Sequence, residues 1–138
     1  MIGVEEFVER LCRLGADRGP RNFPRRQRDR QILMKSMLML LDSARVYTEP
    51  EINAVIQSWR SEVAPAIRTD HVTLRRALID HGLLERTADG RAYRVGFPPS
   101  PVAFDVEVDD VDVRATIAAY LEHARARKRT SAPRADPE

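Results

Sequence analysis

The chain has 138 residues, with 23 Lys and Arg against 21 Asp and Glu, giving a formal net charge of +2. That length suits one domain with a real core, and the near balance of charge says little by itself about nucleic acid. A single cysteine, Cys12, rules out an intramolecular disulfide and fits a reducing compartment. No apolar stretch reaches membrane-spanning length, and the early Glu5-Glu6 pair does not fit a signal peptide. A soluble, cytoplasmic protein without membrane association is therefore expected. The bases are nearly all Arg, with Lys only at Lys35 and Lys128. Arg suits bidentate contacts with phosphate or carboxylate, although a high-GC genome would produce the same bias.

Val4, Phe7, Val8, Leu11 and Leu14 form a helical stripe, with Glu at its start and Arg near its end. Gly15 is expected to stop this helix. It is read as a packing or dimer element, with Cys12 structural and inert. Asp17 to Pro24 is a connector. Arg25, Arg26, Arg28 and Arg30 follow in a basic block that could contact phosphate or could be a solvated linker and first turn.

Gln27 to Leu41 carries apolar residues around a broad face, which predicts a central helix with neighbours on more than one side. Asp42 to Val46 reads as a turn. Thr48 and Glu51 form a capping box for the next helix, with Pro50 in its first turn. Ile52, Val55, Ile56 and Trp59 supply that helix's apolar face, and Tyr47 precedes its cap. Pro65 lies in the connector that follows.

Asp70 is a candidate cap for a helix over His71–His81, with Leu74, Ala77 and Leu78 on one face and Gly82 as its stop. Two strands follow, joined at Asp89-Gly90, where both residues tolerate positive φ. Beyond the prolines at 98, 99 and 101, Val102, Phe104, Val106 and Val108 alternate with Ala103, Asp105 and Glu107. This pattern predicts a strand that joins the hairpin or pairs across a dimer. Asp109, Asp110 and Asp112 mark the start of a last helix, which fades into a basic run at residues 125–129. Residues 130–138 have the composition of a disordered tail.

The fold class expected is mainly α with a small β component: a winged helix-turn-helix core flanked by N- and C-terminal helices. The expected divisions are an N-terminal helix and connector (1–20), the winged-helix unit (21–95), a strand and C-terminal helix for packing or dimerisation (96–129), and the tail (130–138).

Several stretches together resemble the DUF2087 family, a domain of unknown function. They are Phe23-Pro24-Arg25-Arg26, Tyr47-Thr48-Glu49 with Glu51-Ile52-Asn53, Leu74-Arg75-Arg76 through Gly82-Leu83-Leu84 and Arg86, and Asp89-Gly90 with Tyr93-Arg94. The resemblance covers residues 21–95 and implies kinship with bacterial winged-helix transcription regulators. The family often carries Lys at position 26 and Trp at position 94, where this chain has Arg.

The leading functional expectation is a DNA-binding transcriptional regulator. The 71–81 helix would enter the major groove, with His71, Thr73, Arg75 and Arg76 as candidate readers. Not all four can face outward together. Arg86, Arg91 and Arg94 on the hairpin would hold the backbone or minor groove, and Arg25, Arg26, Arg28 and Arg30 would add phosphate contacts. Double-stranded DNA is the expected partner, with a homodimer through the terminal helices. The alternative is a protein-interaction module without direct DNA binding, which the acidic stretch Asp105–Asp112 favours. No phosphate loop, nucleophile elbow or zinc spacing is present, so no enzyme, cofactor or metal site is expected. His71, His81 and His123 do not form an adjacent pair. Sequence leaves open an effector pocket between the core and the terminal helices.

Overall fold

A computed structural model of the chain describes residues 1–98 and 102–131. Its helices are α1 (Val4–Gly15), α2 (Gln27–Leu38), α3 (Glu49–Glu62), α4 (His71–Asp80) and α5 (Val113–Ser131), and its strands are β1 (Tyr47–Thr48), β2 (Leu84–Arg86) and β3 (Ala92–Val95). The architecture is mainly helical with one small antiparallel sheet, ordered β1-β3-β2.

Local chemistry explains most of the boundaries. Thr48 Oγ1 accepts from the Glu51 amide at 3.3 Å, and Glu51 Oε1 accepts from the Thr48 amide at 2.8 Å, closing the capping box of α3. Asp70 Oδ1 accepts from the Thr73 amide at 2.8 Å, so Asp70 caps α4. Gly82, at φ +73°, ends α4. There the Leu83 and Gly82 amides donate back to Leu78 and Ile79 carbonyls, both at 2.9 Å. Asp112 Oδ1 accepts from the Ala115 amide at 3.0 Å at the start of α5.

The strand register sets the hairpin's two faces. Leu84 pairs with Val95, Glu85 with Arg94 and Arg86 with Tyr93, while Tyr47 of β1 pairs with Tyr93 from the other side. Leu84, Tyr93 and Val95 are buried, and Glu85 and Arg94 face out. Tyr47 thus joins the sheet as well as preceding the α3 cap.

Beneath the sheet, Trp59 of α3 is fully enclosed against α2. Its indole N–H donates to Ser36 Oγ at 2.8 Å, and that hydroxyl donates to the Leu33 carbonyl at 2.6 Å. One apolar cluster runs from Phe7 and Leu11 of α1 through Ile32 and Met37 of α2 and Leu74 of α4 to Ile117 of α5. The segments flanking residues 21–95 therefore complete the same core.

Four expectations are corrected. Residues 102–108 form no strand: Phe104 makes an isolated parallel bridge with Ile2, and Val106–Asp110 is a 3₁₀ helix. Asp105 accepts from the Glu107 amide at 3.2 Å and turns the chain; only Val108 of that helix is buried, while Val106 is 77 % exposed. The third strand is β1 instead. In the hairpin loop only Gly90 has positive φ, because the Gly90 amide closes a turn onto the Thr87 carbonyl at 2.8 Å. Asp89 contributes its carboxylate, which accepts from the Thr87 hydroxyl at 2.6 Å and the Arg91 amide at 3.0 Å. The α2 helix stops at Leu38, and Met39–Leu41 continue as tight turns.

Helix α1 ends at Gly15 as expected, and a Cβ added there would lie 3.1 Å from Ala64 Cβ. Helix α5 extends through Thr130 and Ser131, where a disordered tail was expected. The rest of that expected tail, residues 132–138, lies outside the described residues.

Candidate nucleic-acid interface

Helix α4 presents two faces of different character. Leu74 and Leu78 are buried beneath it, while Val72, Thr73, Arg76 and Asp80 are exposed along its outer side. These four positions recur at helical spacing, so they share one stripe.

Arg75 and Arg76 are both among the candidate readers, and the fold separates them. Arg75 turns inward, its side chain only 13 % exposed. It donates to Asn53 Oδ1 of α3 at 2.5 Å, lies 3.8 Å from Glu49 Oε1, and sits 6.0 Å from the Tyr93 ring centroid. The Tyr93 hydroxyl donates to the same Glu49 oxygen at 2.9 Å. Glu49, Asn53, Arg75 and Tyr93 come from three different stretches of the family-like pattern and meet in one polar cluster. That cluster fixes α4 against α3 and the sheet. Arg75 is thereby engaged within the fold, and its side chain is not on the exposed stripe. Arg76 makes no hydrogen bond or ion pair with any described residue.

The hairpin arginines also divide. Arg86 pairs with Tyr93, lies over its ring at 5.6 Å, and shares a hollow of about 280 Å³ with Val72, Arg75, Arg76, Ile79 and Asp80. Arg91 is exposed near the loop tip, with only its backbone amide engaged. Arg94 is exposed on the opposite face of the sheet and donates to Glu85 at 3.3 Å.

The basic block at the start of α2 splits in the same way. Arg28 makes a two-pronged ion pair with Glu6 of α1 at 2.5 and 2.6 Å, which holds the Glu6 carboxyl below its ordinary range. Arg30 stacks on Phe23 at 5.0 Å and donates to the Pro24 carbonyl at 3.1 Å. Arg25 and Arg26 stay exposed and unpaired among the described residues. The Phe23 amide donates to Thr69 Oγ1 at 2.9 Å, so these two arginines follow a point tied to the residue just before the α4 cap.

His71 is half-buried, its Nδ1 3.0 Å from the Gln57 amide nitrogen of α3. Thr73 is exposed beside the cap. The amides that cap α4 also hold the Asp70 carboxyl below its ordinary range, chiefly through the hydrogen bond from Thr73.

Sequence reasoning missed Val72 and Arg68. Val72 is 43 % exposed in the middle of the polar stripe. Arg68 is exposed two residues before Asp70, in the segment whose amide donates to the Arg21 carbonyl at 2.9 Å. A base so close to a helix cap was the available signal for Arg68. Val72 gave none, because an apolar residue in an amphipathic pattern reads as core.

Among the described residues no group of His, Cys, Asp and Glu is placed to hold a metal ion, and no helix is long and apolar enough to cross a membrane. No curated protein and no solved structure matches the chain. The family model described as DUF2087, "Uncharacterized protein conserved in bacteria", matches residues 21–95. That match spans more than half of the sequence, and the chain belongs to the DUF2087 family.

Proposed function

We propose that the protein is a winged helix-turn-helix DNA-binding regulator of transcription. In this reading α3 and α4 are the helix pair, β2–β3 is the wing, and α4 enters the major groove. The order helix, strand, helix, helix, strand, strand from α2 to β3 supports it. The observation that carries it is Arg76: a guanidinium unpaired among the described residues, at the centre of the exposed stripe of α4 and beside a hollow shared with Arg75 and Arg86. Arg76 is suited to a bidentate contact with guanine, and Val72 to apolar contact with a thymine methyl. Arg25, Arg26, Arg68 and Arg91 have the exposure that phosphate contacts need. A homodimer would use α5, because α1 buries Phe7 and Leu11 inside its own chain.

The test is recovery and sequencing of genomic duplex fragments bound by the chain, followed by a salt titration on an enriched site. Binding that weakens steeply with salt, and that Arg76→Ala lowers about tenfold, is the expected result. A second reading, a protein-interaction module, is favoured by exposed Val72 and acidic Asp80 in the same stripe. Absence of duplex binding even at low salt would move the assignment to it.

A further inference from the structure

A second concavity lies away from α4's outer stripe. It is a cleft of about 520 Å³ bounded by α2, the turn after it, the base of the hairpin, and the segment leading into α5. That volume falls within the range of small-molecule sites, about 300–1,000 Å³. Its walls are mostly apolar, with Leu38, Leu83 and Phe104 on three different sides.

The polar side chains lining the cleft are those of Gln31, Lys35, Ser43, which is exposed at its rim, and Asp109. Gln31, in the first half of α2, is only 5 % exposed, and its amide makes no hydrogen bond with any described residue. Its polar atoms are not sealed off, since Arg60 Nε alone is both enclosed and without a partner among the described residues, so the Gln31 amide is open to a partner from the cleft. Here that amide borders a space large enough to hold its partner. The two charged residues lining the space, Lys35 and Asp109, are paired with each other at 2.6 Å. Lys35 also lies 5.7 Å from the Phe104 ring centroid. The pair leaves no net charge for an ionic ligand. A water molecule could meet the Gln31 amide but would leave the apolar walls wet.

We propose that this cleft binds an uncharged small molecule with an apolar body and one amide, carbonyl or hydroxyl group. The polar group meets the Gln31 amide, and the body covers Leu38, Leu83 and Phe104. The inference stands independently of DNA binding.

The test uses the full chain and three probes of matched shape: hexanamide, hexanoate and hexylammonium. Protein-observed NMR titrations should show saturable shifts at Gln31, Leu38 and Leu83 with hexanamide, at least fivefold tighter than with either charged probe. Gln31→Leu, close in size, should weaken hexanamide by about three- to tenfold, the range expected for one net hydrogen bond. Contacts between hexanamide methylene protons and the Leu38 and Leu83 methyls of the unaltered chain provide a readout that does not depend on the variant. No saturable shift up to the solubility limit would overturn the proposal, as would shifts that map elsewhere. Equal or tighter binding of a charged probe would also overturn it, as would unchanged hexanamide binding by a folded Gln31→Leu chain.

Discussion

The inner and outer faces of α4 carry the same side chain in different surroundings. On the inner face, Arg75 donates to Asn53, lies within ion-pair range of Glu49 and sits over Tyr93, so its guanidinium is held within the protein although it also borders the hollow beside Arg76. On the outer face, Arg76 has no partner among the described residues. One step along a helix rotates a side chain by more than a quarter turn, and here that rotation separates a clamp from a free cation. The arginines of the hairpin and of the α2 start divide likewise. The side chains of Arg28, Arg30 and Arg94 are engaged, while those of Arg25, Arg26 and Arg91 have no partner among the described residues. A basic motif in this family's pattern is thus partly a fastening device, and only its unengaged members are candidates for phosphate or base.

The inner side can be broken in two places. The largest effect is expected for Gly96→Ala, because an added Cβ would lie 2.1 Å from the Gly82 carbonyl oxygen at the end of α4. Backbone must move there, and a loss of about 3 kcal/mol in denaturant unfolding is expected. Arg75→Ala follows, with a loss of about 2 kcal/mol, since it removes a charge-assisted hydrogen bond and leaves the Glu49, Asn53 and Tyr93 side of the cluster without its cation. Unchanged stability in Arg75→Ala would erase the distinction between the faces.

Arg76→Ala sharpens the contrast. Its stability should stay within about 0.5 kcal/mol of the parent chain, as for exposed residues without partners. Its DNA affinity should fall about tenfold in the same salt. Equal destabilisation by both alanine variants would put Arg76 in the clamp as well.

The smallest effect expected is on acidification. Asp70 is held below its ordinary value mainly by the Thr73 amide, and Glu51 mainly by the Thr48 amide. A carboxyl with a depressed folded-state pKa contributes stability that is complete above its unfolded pKa and is lost as the pH falls through the folded one. Both caps should therefore be intact at neutral pH and weaken below the ordinary carboxylate range. Protection of the Thr73 and Thr48 amides, relative to their intrinsic exchange rates, should fall there before the Trp59 indole is exposed.

The features legible in the sequence are the ones whose causes are local. Thr48 with Glu51, Asp70 and Gly82 signalled their helix ends because each partner lies within a few residues. The 102–108 segment misled because alternation of apolar residues describes a strand only when a sheet edge is there to receive it. Ile2 offers a single bridge, and Asp105 then turns the chain into a 3₁₀ helix. The roles of Arg75 and Arg76 were beyond local reasoning, since Asn53 and Tyr93 reach Arg75 only through the tertiary fold. The Gln31 cleft was equally hidden, because its walls come from four separated segments.

The bridge between Ile2 and Phe104 has a consequence for biosynthesis. The Ile2 amide donates to the Ala103 carbonyl and its carbonyl accepts from the Asp105 amide, both at 2.8 Å. Phe7 meets Phe104 edge to face, with ring centroids 6.1 Å apart. At a translation rate of about 5–20 residues per second, α1 leaves the ribosome roughly 5–20 seconds before those partners exist. During that interval the apolar stripe of α1 can settle on α2 but stays uncovered along the edge that Phe104 will close. The nascent chain is therefore most exposed to chaperones, and to aggregation, until residues beyond 104 emerge and shut the seam.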